Sequence, residues 1–212
     1  MKIALYGDSY GHMKPLDRKL NDHPAWFEML QDHVDGTNYA MGGSSFYYAY
    51  NQFLEHNHKY DKNIVLGSQI GRFYAPHLIW PHVNINIIVQ PNVWKDHGLS
   101  QEQIEAFKLY YKYVYNSQEE EDMRRLMSKE IMNVPNTLYI SLPETLLKVT
   151  RQEREFFNYK VTEKENMSAH MSNESNEIFF KSVLHWINTG NFTFNLEDYK
   201  LPNIQDRYKY FI

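Results

Sequence analysis

Apolar positions along the chain follow two periods. Lys2 to Tyr6 is a short apolar run, Ile3-Ala4-Leu5-Tyr6, that stops at Gly7-Asp8. A run apolar on successive positions predicts a strand covered on both faces, as in the centre of a parallel sheet. From Pro24 the spacing changes: Trp26, Phe27, Leu30 and Val34 fall on one face of a helix opened by a proline, with Asp35-Gly36 as its end. Asn38 to Met41 is expected to be a second strand, closed by Gly42-Gly43. Ser44 and Ser45 are then placed to cap a helix with Phe46, Ala49, Tyr50, Phe53 and Leu54 inward. Lys62 to Leu66 reads as the third strand. Alternation of strand and helix predicts βαβ units, hence a parallel sheet with helices on both faces.

After Arg72 the pattern breaks. Phe73 to Gly98 carries Pro76, Pro81 and Pro91 among Trp80, Trp94 and three histidines, and reads as a long excursion. Order returns at Ser100-Gln101-Glu102-Gln103, which has the form of a capping box, followed by Ile104, Phe107, Tyr111 and Val114 at helical spacing. Met123, Met127 and Ile131 continue a helical face to Pro135, and Thr137 to Leu142 is a fourth strand. The stretch from about 73 to 136 exceeds what a crossover needs, so part of it is expected over the carboxyl ends of the strands, as a lid or binding loop. Ser172 opens the best-patterned helix, with Phe179, Phe180, Val183, Leu184 and Ile187 on one side and Thr189-Gly190 as its stop. Residues 191–212 hold many aromatics without a period and read as an irregular strap. The expected layout is therefore an α/β domain over 1–190 with an insertion at about 73–136, and a strap that packs on it or meets another chain.

Composition narrows the classes of function. The formal net charge of −4 argues against broad phosphate neutralisation, so no nucleic-acid partner is expected. The absence of cysteine removes disulfides, thiolate nucleophiles and cysteine-based metal sites. No stretch approaches the ~20 apolar residues of a membrane span. Met1-Lys2 and the few apolar residues before Asp8 are too short for a secretory signal, which leads to the expectation of a cytosolic protein or one carried in a larger assembly. Aromatics at 16% suit a core, a carbohydrate-facing surface or an interface equally.

The chemistry concentrates after the first strand. Gly7-Asp8-Ser9-Tyr10-Gly11 spells G-x-S-x-G, but the α/β-hydrolase elbow of that form needs an earlier strand and loop for its oxyanion hole. The glycine pattern of a phosphate-cradling loop is absent. A plain structural turn, with Gly and Asp serving backbone geometry, competes with any catalytic reading.

The tripeptide Gly7-Asp8-Ser9 directly after a first strand, together with His170 just ahead of a last helix that opens with Ser172 and Glu174, resembles the SGNH (GDSL-like) hydrolases. The resemblance implies a three-layer α/β/α sandwich with a mostly parallel, flavodoxin-like sheet, and a serine esterase acting on an acyl ester such as an acetylated carbohydrate. It implies Ser9 as nucleophile and His170 as base, with the oxyanion held by the Ser9 backbone N–H, by Gly42 or Gly43, and by a side chain after strand three. There the family has asparagine and this chain has Gln69. The family's acid, three residues before the histidine, is here Met167, so Glu165 is the substitute expected to orient His170. Asp8, Arg72, Trp80 and Trp94 are candidates for substrate contact. No cofactor and no metal are expected. His56-Asn57-His58 and His77, His82 and His97 lack metal-ligand spacing. Two other classes stay open: a degenerate relative that binds glycans or a protein without turnover, which Met167 favours, and a structural subunit that oligomerises through its strap.

Overall fold

The computed structural model of the protein describes residues 1–8, 10–11, 24–68, 71–78, 81–84, 90–141 and 173–195. Four parallel strands make the sheet: β1 (Lys2–Tyr6), β2 (Asp35–Asn38), β3 (Lys62–Gly67) and, after the two short strands below, β6 (Thr137–Ser141). Their spatial order is β2-β1-β3-β6. This is the flavodoxin-like arrangement, in which the chain leaves β1 to one side and returns to the other.

Alternation along each strand divides the interior in two. Ile3 and Leu5 of β1, Ile64 and Leu66 of β3, and Leu138 and Ile140 of β6 face α1 (Trp26–Gln31) and the helix Asn173–Thr189, labelled α6. Those helices contribute Trp26, Phe27 and Leu30, and Phe179, Val183, Trp186 and Ile187. Ala4, Tyr6 and Val65 face the other way, onto Phe46, Ala49 and Phe53 of α2 (Phe46–His56) and Ile131 of α5 (Ser117–Met132). The result is a helix layer, a sheet and a second helix layer.

Local chemistry sets several boundaries as expected. Ser45 caps α2, its Oγ accepting the Tyr48 N–H at 3.2 Å. The capping box of α4 (Gln101–Tyr113) is reciprocal: Gln103 N–H donates to Ser100 Oγ at 3.1 Å and Ser100 N–H to Gln103 Oε1 at 2.9 Å. Gly190, at φ 80°, ends α6 with its N–H on Trp186 O.

Elsewhere the structure differs from the sequence reading. The second strand is Asp35–Asn38, three residues before the apolar stretch expected to form it, because its pairing with β1 runs Lys2↔Asp35 to Leu5↔Asn38. Tyr39 to Met41 lie past the strand's end. Leu54, Val114 and Met123, read as inward positions, are exposed.

The stretch after β3 has its own architecture. A hairpin of β4 (Arg72–Tyr74) and β5 (His82–Asn84) is followed by α3 (Pro91–Asp96) and α4. Ala75, Leu78, Val83, Trp94, Leu99, Ile104 and Tyr111 form a core separate from the two at the sheet.

Candidate active site

The carboxyl ends of β1 and β3 flank the switch point, the place where open α/β sheets hold their ligands. Gly7 ends β1, and a Cβ there would lie 2.8 Å from Leu66 Cβ, so only glycine lets the two strand ends approach this closely. Asp8 follows, fully buried. Its Oδ1 accepts the Tyr10 N–H at 3.1 Å and its carbonyl accepts the Gly11 N–H at 3.0 Å, which closes a tight turn across position 9. The indole of Trp26 donates to Tyr10 O at 2.9 Å and fixes the far side of that turn.

The loop after β2 is bound to the same strand end. The Gly7 carbonyl accepts two hydrogen bonds, from Met41 N–H at 3.0 Å and Ser44 Oγ at 2.9 Å. Gly43 sits between them at φ 77°, in the left-handed region that favours glycine. Gly42 and Gly43 are half-buried, and nothing lies within 4 Å of where a Gly43 Cβ would be.

Arg72 joins the two loops. Its Nη1 donates to Asp8 Oδ2 at 2.6 Å and to Ser44 O at 3.1 Å. The Asp8 side chain has no exposure and that of Arg72 only 13%. Removing one member of such a buried pair typically costs about 3–5 kcal/mol, because the other charge is left uncompensated. Both residues, nominated for substrate contact, are thus engaged with each other.

The loop after β3 is gripped from outside. Arg124 of α5 donates to Ser68 O at 3.2 Å. Glu120 Oε2 accepts the Gly71 N–H at 2.7 Å and the Tyr115 hydroxyl at 2.7 Å, while the Tyr111 hydroxyl donates to Gly71 O. Burial first and nearby Glu120 next push both phenols up, so Tyr111 and Tyr115 remain protonated donors. Ser68 is fully buried, and its Oγ has no hydrogen-bond partner among the described residues. The run of acids opening α5 reads in sequence as a solvated helix start, and nothing there marks Glu120 as the one that turns inward.

His82 closes the hairpin side. Its ring lies against Tyr74 and edge-on to Tyr48, and its Nε2 contacts Met41 Sδ at 2.7 Å. Desolvation, reinforced by the Arg72 charge, lowers its pKa to about 4, so it is neutral. Trp94, nominated as a substrate contact, is buried within the insertion core, and its indole Nε1 has no hydrogen-bond partner among the described residues. Ser9, Gln69, Trp80, Glu165 and His170 lie outside the described residues. Among the described residues no cluster of three or more metal-ligating side chains occurs, and no helix is long and apolar enough to cross a membrane.

Strand order and flanking helices together define an α/β fold with a parallel sheet whose switch point lies between β1 and β3. No protein-family model matches the sequence, and no curated protein matches it. Among solved structures, the crystal structure of an acetyl xylan esterase is similar at 11% identity over 88% of this chain and 100% of that chain, with a TM-score of 0.36. That likeness assigns no residue a role.

Proposed function

We propose that the protein is a serine ester hydrolase working through Ser9 and His170. One observation carries this reading: Gly7 and Asp8, the first two residues of the Gly-Asp-Ser tripeptide, lie at the carboxyl end of β1 beside the switch point, in a turn closed across position 9. Ser9 Oγ attacks the ester carbonyl as His170 takes its proton; the tetrahedral intermediate collapses, and the alcohol leaves with that proton. Water, deprotonated by His170, then releases the acid and restores Ser9. The Ser9 N–H, a backbone N–H of Gly42 or Gly43, and the Gln69 amide stabilise the oxyanion, and Glu165 orients His170. An acetylated carbohydrate is the substrate class that the Gly-Asp-Ser resemblance suggests.

Labelling with a fluorophosphonate, followed by mapping of the modified peptide, tests the reading. Modification at Ser9, together with loss of aryl-ester turnover in a folded Ser9→Ala variant, is the expected result. Modification elsewhere, or turnover retained in that variant, sinks it. Glu165→Gln should lower kcat and leave KM nearly unchanged. A wild-type protein inert to probe and esters favours a binding module, the reading that Met167 supports.

A further inference from the structure

We infer that Arg72 is a positioning residue that fixes the turn after β1 against the loop after β2, the two loops from which the proposed backbone oxyanion donors come. The inference rests on the esterase reading above. A single guanidinium nitrogen holds both loops, through Asp8 Oδ2 at 2.6 Å and Ser44 O at 3.1 Å. Asp8 precedes Ser9 and Ser44 follows Gly43, so each bond lies one residue from a proposed oxyanion donor. Both anchors are fully buried and Arg72 nearly so. A buried charge-assisted bond holds such a spacing more tightly than a solvated one, and a planar fork does so with less freedom than an ammonium.

Arg72 is itself held from outside the sheet. The preceding residue, Gly71, is bound at its N–H by Glu120 and at its carbonyl by Tyr111, and it takes φ 79°. Arg72 is also the first residue of β4, paired across the hairpin with Asn84. Helices α4 and α5 therefore act as a bench on which the guanidinium is mounted, and through it the insertion is tied to both loops. A charge spent on two protein acceptors supports placement of the loops over recognition of substrate.

The test compares wild type with Arg72→Lys, which keeps the charge, and with Asp8→Asn/Arg72→Met, which removes both charges and leaves no ion stranded in the interior. Arg72→Ala alone is avoided, because it takes the Arg72 charge away from the buried Asp8 carboxylate and mixes destabilisation with misplacement. Thermal melting and near-ultraviolet circular dichroism establish that each variant is folded. The rate of fluorophosphonate labelling at Ser9, and kcat and KM for a small aryl ester, are then measured. Misplacement of a reacting group by about 1 Å can cost on the order of 100-fold. Labelling and kcat are expected to fall about that far in the double variant and roughly 10-fold in Arg72→Lys, with KM little changed. A folded variant of either kind that labels at the wild-type rate overturns the inference and leaves the esterase reading intact. Wild type that never labels at Ser9 overturns both.

Discussion

The sheet core and the core of the insertion bury apolar residues by different routes. On the α1/α6 face, β1, β3 and β6 deliver alternate side chains onto two helices, and the cluster holds fourteen buried residues. Among the described residues the insertion assembles seven, drawn from the hairpin and its loop, the short helix α3, the loop after it and α4. Rows from adjacent strands reinforce one another, whereas the smaller cluster depends on a few long-range contacts. It also leaves the Trp94 indole N–H buried without a hydrogen-bond partner among the described residues. Local stability scales with such buried contacts, so the insertion should open below the free energy of global unfolding. Since Arg72 starts the hairpin, the site should lose its geometry before the sheet melts.

The largest effect is expected on the sheet side. Phe179 is fully buried and edge-on to Trp26, so Phe179→Ala should remove about 3–5 kcal/mol of global stability in urea unfolding. A loss below 1 kcal/mol would mean that α6 contributes little to the core.

Acid acts at the seam between the two cores, where His82 of the hairpin meets Tyr48 of α2. Its pKa is lowered from 6.5 to about 4 in the fold, by burial and then by Arg72. Between those values the unfolded chain binds more protons, so stability rises with pH across that window. The contribution is complete above about pH 6.5, is lost as pH falls towards 4, and amounts to about 3 kcal/mol at most. His82→Asn should flatten the pH dependence of unfolding over that range; an unchanged slope would place the sensitivity in another group.

Ile104 anchors α4 in the insertion core. Ile104→Ala should cost about 2 kcal/mol, at the low end for such a truncation because the small cluster can collapse around it. Hydrogen exchange should quicken at α4 amides while Leu5 and Val65 in the sheet keep their protection. Equal acceleration in both would show that the two cores unfold as one. The smallest effect concerns Trp94. Trp94→Phe removes the orphaned N–H, so thermal unfolding should show a change within about 1 kcal/mol, towards stabilisation. A loss of several kcal/mol would mean that indole volume matters more than the missing bond.

What could be read from the sequence was local. The buried strand at Ile3 to Tyr6, the Ser45 cap, the Ser100 capping box and the Gly190 stop each depend on neighbours within a few residues. The second strand is displaced by three residues from its expected place because hydrophobicity points to Tyr39 and Ala40, whereas backbone pairing with β1 selects Asp35 to Asn38. Val114 was assigned to a buried face because helical periodicity does not tell where the covering surface ends. For the site, the Gly7-Asp8 turn and the glycines after β2 were legible as a group. The pairing of Asp8 with Arg72 was not, since 64 positions separate them and each alone looks like a residue free to meet substrate. Glu120 gave no signal: its inward turn depends on Gly71 and Tyr115 arriving at the same place.

The polar second strand has a consequence for association between molecules. Among the described residues β2 is the outermost strand on its side of the sheet, so one row of its backbone donors and acceptors faces away from β1. An apolar strand there would offer a template for a strand from another chain. Asp-Gly-Thr-Asn spans only four residues and places a charge and a glycine at its start, a composition that discourages strand addition. The same polarity that displaces this strand from a hydrophobic reading makes the sheet's edge a poor template for a strand from another chain.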